Sequence, residues 1–232
     1  MPTPPPADRV LLLVARPTPS GIDEQSLKRL AAAVAERTDR PVRVAHLDQT
    51  EPTIHDALDD AVAAEAAGVL VVPLTIPDDR YLATWIARAV ANWRETRGHQ
   101  LDIRTAATPT SLPAIADALA GLAETEGRAV TAAPGGFRSP AWSTLEIPDR
   151  HLLVCGGPRC TVYGAGATHR TLTEATRGST TQVTPIGCIG PCNLGPLVID
   201  HPSGHWHQHV ATLRAADLAN DAQPDPARLT TS

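Results

Sequence analysis

The four cysteines constrain this chain more than any other feature. All lie in its last third, as two pairs in Gly/Pro frames, CGGPRC (155–160) and GCIGPC (187–192). Cys155 and Cys160 are spaced C-x4-C, Cys188 and Cys192 C-x3-C, and 27 residues separate the pairs. Each pair follows an apolar run that reads as a strand, so each is expected in a strand-end loop. Such loops let backbone N–H groups approach sulfur, which stabilises thiolates and tunes a bound metal. The opening MPTPPPADR lacks the charged-then-apolar build of a signal peptide, and no apolar run reaches the roughly 20 residues that span a bilayer. The chain is therefore expected in the cytoplasm, away from membranes, where thiols stay reduced. Four cysteines in that setting read as ligands or catalysts rather than disulfides.

Composition sets the remaining bounds. The net charge is -5 with a pI near 6.0, and lysine is nearly absent. Nucleic-acid binding needs a concentrated excess of Lys and Arg, so nucleic acid is not an expected partner. Apolar residues make up 42% of the chain but aromatics only 3%, so small aliphatics must do the packing. That suits helices laid on a sheet. The 232 residues suit one large domain or two small ones, and Arg128–Arg150 breaks the pattern with Gly-Gly and three prolines. Residues 1–128 hold 18 acids against 13 bases, whereas 129–232 hold 7 of each. The expected organisation is a tail at 1–9, an α/β domain at 10–128, a linker at 129–150, a second domain at 151–221 and a tail at 222–232.

In the front half, strand and helix signals alternate. Strands are expected at Val10–Ala15, Val42–Leu47, Gly68–Ile76 (the most hydrophobic, hence central) and Leu101–Ala107. Helices are expected at Asp23–Thr38, Thr53–Ala67, Tyr81–Thr96 and Ser111–Glu126. Continuous apolar strands suit a parallel sheet covered on both faces, and right-handed crossovers give a small doubly wound α/β unit. Ligands of such folds sit beyond the carboxyl ends of the strands, which directs attention to Arg16–Ser20, Asp48–Glu51 and Pro77–Tyr81. In the back half, strands are expected at His151–Val154 and Gln182–Ile186. A hairpin is expected at Pro196–Asp200 and His205–Val210, with helices at Thr168–Arg177 and Leu213–Ala219. A unit this small is near the size where a core alone is marginal, so a metal staple is reasonable.

Four thiolates suit an all-cysteine site holding a [2Fe-2S] cluster or zinc. C-x4-C fits structural zinc loosely, and the chain lacks the C-x-x-C of a redox dithiol. The motifs CGGPRC, YGAGATHRTLTEAT, IGCIGPC and GPLVIDHPSGHWHQHV together resemble the thioredoxin-like [2Fe-2S] ferredoxins, over about Arg150–Asp221. That resemblance implies a thioredoxin-like α/β ferredoxin domain, with Cys155, Cys160, Cys188 and Cys192 as cluster ligands and a redox partner protein. Electron transfer would then require the Cys155–Cys160 loop near solvent. On a regular strand His205, His207 and His209 would share a face. With His201 they read either as a second metal or proton-coupled site or, preferably, as a solvated hairpin. His46, His55 and His99 are isolated and read as surface or satisfied core.

The order LLLVARPTPSG, VAHLDQTEPTIHDALDDAV, AGVLVVPLTIPDD, over about Arg9–Gly127, is similar to the short CbiX-type class II chelatases. Those insert cobalt or iron into sirohydrochlorin. The departures fall at the chemistry: Arg16 stands where the family has a His after the first strand, and Tyr81 stands near the second His. Metal insertion needs a neutral imidazole and a base for the pyrrole protons, and a guanidinium repels a divalent cation. Arg16 remains suited to gripping carboxylates, so Arg16, Asp48, Glu51 and Tyr81 form a candidate tetrapyrrole site. The resemblances together imply a [2Fe-2S] electron carrier with a degenerate chelatase-like docking domain in cobalamin or siroheme metabolism, partnered by a tetrapyrrole or a pathway enzyme. An active sirohydrochlorin chelatase with a structural cluster is the enzymatic alternative, and a redox or iron sensor a third reading. Both families often self-associate, so a homodimer is expected.

Overall fold

The computed structural model describes residues 9–17, 23–129, 131, 148–190 and 192–220. The expected tail at 222–232, nearly all of that at 1–9 and most of the expected linker at 129–150 lie outside the described residues. Among those described, no helix is long and apolar enough to cross a membrane.

The front unit is a four-stranded parallel sheet of β1 (Arg9–Ala15), β2 (Val42–His46), β3 (Gly68–Pro73) and β4 (Asp102–Thr105), ordered β2-β1-β3-β4. β1 and β3 are central, as their unbroken apolar runs require. The chain reverses direction across the sheet at β1. Right-handed crossovers therefore place α1 (Glu24–Ala35) on one face and α2 (Ile54–Ala63) and α3 (Arg80–Arg97) on the other. A fourth helix, α4 (Pro113–Leu122), follows β4. The core gathers Leu12, Val14, Leu58, Val71, Ile86 and Trp93. Fully buried Trp93 keeps its indole N–H satisfied by donating to Asp59 Oδ1 at 2.8 Å. Sequence-local caps set the helix starts. Thr53 and Asp56 form a reciprocal capping box on α2, and Asp79 accepts from the backbone N–H groups of Tyr81 and Leu82 on α3.

The back unit is a mixed sheet ordered β6-β5-β7-β8. β5 (Arg150–Cys155) pairs in parallel with β6 (Thr181–Ile186) and antiparallel with β7 (Val198–His201), which pairs antiparallel with β8 (His205–His207). Helices α5 (Pro158–Val162) and α6 (Ala165–Ala175) connect β5 to β6, and α7 (Thr212–Asn220) closes the unit. Its core includes Leu152, Leu172, Val198 and Val210. Arg150 stacks a bidentate guanidinium on buried Asp200, with Nη2 donating to Oδ2 at 2.7 Å, and also reaches the Leu218 carbonyl at 3.0 Å. One side chain thereby ties β5 to β7 and α7.

The α/β class and the strand–helix alternation are as the sequence predicts, and three local features differ. CGGPRC is not all loop: Cys155 ends β5, and Cys160 sits in α5. Pro158 at the first helical position is pre-set for a helix start. Helix α6 begins at Ala165, three residues before expectation, because Gly164 turns the chain at φ 94°. β8 stops at His207, and His209 takes a left-handed φ of 50°, so the alternation expected through Val210 ends early.

Candidate functional site

Cys155, Cys160 and Cys188 line one pocket together with Gly157, Pro158, Arg159, Gly190 and Leu197. The side chain of Cys192 lies outside the described residues. Two glycines make the pocket possible. A Cβ on Gly157 would sit 3.0 Å from Cys188 Sγ, and one on Gly195 would sit 2.6 Å from Cys160 Sγ. Ile189, Leu194 and Trp206 pack against the Cys155–Cys160 cluster from outside. Cys155 and Cys160 are unbridged and each 3% exposed. The expectation that their segment lies at the surface is therefore corrected, because β5 and α5 carry both inward. Cys188 is the exposed member.

The Cys160 thiol beside Cys155 lowers the Cys155 pKa to about 6, helped by N–H groups of Gly157 and Ile189. Cys160 is driven the other way, by the same contact and by burial. Among the described residues no three His, Cys, Asp or Glu side chains form a group able to hold a metal ion.

At the carboxyl ends of the front strands, Arg16 is the hub. Its Nε lies 3.5 Å from Asp48 Oδ2 and its Nη1 3.5 Å from Asp79 Oδ2. Its guanidinium lies over the Tyr81 ring, 4.3 Å from the centroid. Asp48 is 1% exposed, its Oδ1 has no hydrogen-bond partner among the described residues, and burial raises its pKa to about 6. The negative charge of Cys155 adds to that rise. The Tyr81 hydroxyl is also buried, and desolvation and then Cys188 push its pKa up. The strand-end cluster thus adjoins the cysteine pocket.

Three of the four residues expected at the front site, Arg16, Asp48 and Tyr81, come together. Glu51 does not: it is exposed and pairs with Arg170 at 3.7 Å. Asp79 lies in the Pro77–Tyr81 stretch that the sequence pointed to but was not among its named candidates, although an acid just before the Tyr81 helix is an N-cap signal.

The two units meet through main chain. The Gln49 N–H, on the loop after β2, donates to the Gly156 carbonyl at 2.9 Å and to Thr161 Oγ1 at 3.0 Å. Gln49 adopts φ 66° to do so.

The histidines remain dispersed. His205 and His207 meet edge-on at 6.3 Å, with His207 buried 3.9 Å from Asp200. His209 has left the strand, its Nδ1 3.2 Å from the Gly195 carbonyl, and exposed His201 ends β7. His55 Nε2 bonds Asn92 Oδ1 at 3.0 Å, and His99 stacks on Trp93. His46, expected as surface or satisfied core, is buried with neither ring nitrogen bonded among the described residues.

The geometry defines a parallel α/β unit joined to a small mixed-sheet unit with a cysteine-lined pocket. Residues 10–120 match the CbiX family model. A curated 2Fe-2S ferredoxin of Aquifex aeolicus is 45% identical over 31 residues, which are 13% of this chain and 28% of that protein. The chain thus spans under a third of that curated relative. The solved thioredoxin-like [2Fe-2S] ferredoxin of Aquifex aeolicus is 26% identical over 31% of this chain and 82% of its own, with a TM-score of 0.29. A CbiX protein assigned to cobalamin biosynthesis in Marinobacter aquaeolei is 18% identical over 50% of this chain and 94% of its own, with a TM-score of 0.44. The chain therefore combines a CbiX chelatase-like region with a weaker ferredoxin-like likeness.

Proposed function

We propose that this chain is a one-electron carrier in which Cys155, Cys160, Cys188 and Cys192 hold a [2Fe-2S] cluster. In this reading the front unit docks an anionic tetrapyrrole or a tetrapyrrole-pathway enzyme. The observation that carries the reading is the convergence of three thiols on a glycine-cradled pocket beside the strand-end cluster of Arg16, Asp48 and Tyr81. The chemistry of the donors supports it, although the three described thiols do not by themselves form a metal-holding group: thiols, backbone N–H groups directed at sulfur and a lowered Cys155 pKa suit an iron–sulfur centre, and Cys192 would have to complete it. The identity with a 2Fe-2S ferredoxin in the short aligned stretch adds support.

A bound cluster supplies reversible one-electron chemistry. The residues of this chain do the rest. Leu197 and Ile189 limit water around Cys155 and Cys160. Exposed Cys188 marks the edge nearest a partner. Arg16 is held by two carboxylates and a ring, which fixes its fork for an incoming carboxylate.

A second reading, sirohydrochlorin metal insertion, draws on one observation. Asp48 has an oxygen unpartnered among the described residues and a pKa raised by burial to about 6, the direction that suits a proton acceptor. Arg16 opposes it by placing a cation where a divalent metal ion would enter.

Anaerobically purified protein should contain about two iron and two sulfide per chain and give a reduced [2Fe-2S] EPR signal after dithionite. Zinc, or no metal at all, overturns the electron-carrier reading. Cobalt- or iron-sirohydrochlorin formation above the spontaneous rate, lost in Asp48→Asn, moves the assignment to the chelatase.

A further inference from the structure

A concavity of about 320 Å³ opens on the back unit beside the cysteine pocket. Arg159, Tyr163, Asn193, Gly195 and His209 line it. Gly195 stands between this surface and Cys160: it is buried, and a Cβ on it would sit 2.6 Å from Cys160 Sγ. His209 is fixed there by its Nδ1, which donates to the Gly195 carbonyl at 3.2 Å. Arg159 lines the thiol pocket as well, so the two openings are continuous.

The charge of this corner is opposite to that of the whole chain. Neither opening is lined by an Asp or Glu among the described residues. From His151 to Ile199 the one acid is Glu174, which pairs with Arg177 at 2.6 Å. The front-unit acids beside the thiols, Asp48 and Asp79, are both held against Arg16. Arg159 lies 6.0 Å from the Trp85 ring centroid and Arg88 lies 4.9 Å from the same centroid, which carries the positive surface onto α3. Tyr163, 50% exposed, adds an aromatic contact. Arg and Tyr in place of Asp, Glu and Lys is the composition of protein interfaces rather than of ordinary surface. A chain of net charge -5 that gathers cations here steers anions to this corner.

We propose that this corner is the docking face for an acidic redox partner, whose carboxylates meet Arg159 and Arg88 while its redox group lies over Gly195. The proposal rests on the electron-carrier reading and names that carrier's partner by its charge. Opposite charges bring two proteins together quickly and in one orientation. The missing side chain at Gly195 keeps the path to Cys160 short.

Two measurements on the full chain test this. In cluster-free protein, anionic iodoacetate and neutral iodoacetamide alkylate exposed Cys188, the thiolate displacing iodide in each case. The ratio of the two rates at Cys188, read by peptide mass spectrometry, should fall about threefold as salt rises from about 0.02 to 0.5 M. Arg159→Gln should lower the low-salt ratio by about threefold, and Arg97→Gln, an equal charge change at the far end of α3, should not. Both arginines are exposed, so both variants should fold. A ratio that rises with salt, as the net charge alone predicts, overturns the proposal, as does a ratio unmoved by Arg159→Gln. In cluster-loaded, dithionite-reduced protein, the iron(III)–EDTA anion and the hexaamminecobalt(III) cation each take one electron. Oxidation by the anion should slow with salt, and poly-L-glutamate should inhibit it where poly-L-lysine does not; the reverse pattern overturns the proposal. Protein that takes up no iron but shows the expected alkylation ratios overturns the redox assignment and leaves the cationic face standing, so the two failures are distinguishable.

Discussion

At the scale of single residues, glycine rather than cysteine sets how tightly the thiol pocket closes. Gly195→Ala places a methyl 2.6 Å from Cys160 Sγ, whereas Gly187→Ala meets nothing within 4 Å. Gly195→Ala should therefore lower iron and sulfide per chain at least about twofold, and Gly187→Ala should leave them unchanged; equal loss in both would refute the cradle. His46 makes a second residue-scale case. Burial lowers its pKa, so the folded state keeps it neutral while the unfolded chain protonates near 6.5. Protons then favour the unfolded state, and stability falls as pH drops below that value. The loss in urea midpoint from about pH 7.5 to about pH 5.5 should be smaller in His46→Leu. That the cysteines come in two strand-end pairs was legible in the sequence because their spacing within each pair is local. Asp79's double role, capping α3 and holding Arg16, was not, because Arg16 is distant in the chain and only the parallel sheet brings their ends together.

At the scale of elements, the strands were the easiest to read. β1 and β3 are apolar on both faces because both faces are covered, and no other local structure explains such runs in so short a span. The elements misjudged were those where glycine and proline serve a helix instead of a loop. Helix α5 starts on Pro158 and ends before Gly164, so breaker residues at both ends disguised one helical turn and the inward placement of Cys160. The histidine hairpin failed for the opposite reason: alternation continued in the sequence after the backbone had turned at His209. α5 also carries Thr161, whose hydroxyl accepts from the Gln49 N–H and lies 3.0 Å from the Gly156 carbonyl. Thr161→Val should cost about 1 kcal/mol in urea unfolding, and Thr161→Ser should recover most of it. A Val variant as stable as the parent would show that the hydroxyl contributes nothing to the contact.

For the whole molecule, the sequence indicated two units but not that they share a seam, because surfaces that meet across distant segments leave no periodicity to detect. Arg159 of α5 joins Trp85 and Arg88 of α3 only where the two units meet. With a main-chain contact at Gln49 and a side-chain contact from Glu51 to Arg170, the units should unfold in one calorimetric transition. Gln49→Pro removes the donating N–H and forbids the positive φ, and should split that transition in two. A single transition retained by this variant would locate the coupling elsewhere. The form of the contact has a consequence for substitution as well. Because Gln49 offers its backbone rather than its amide side chain to Gly156 and Thr161, what the contact demands of position 49 is a φ of 66°, which glycine or asparagine would keep and a β-branched residue would not. The pairing of the halves is thereby a matter of backbone conformation at position 49 and not of that residue's side-chain chemistry.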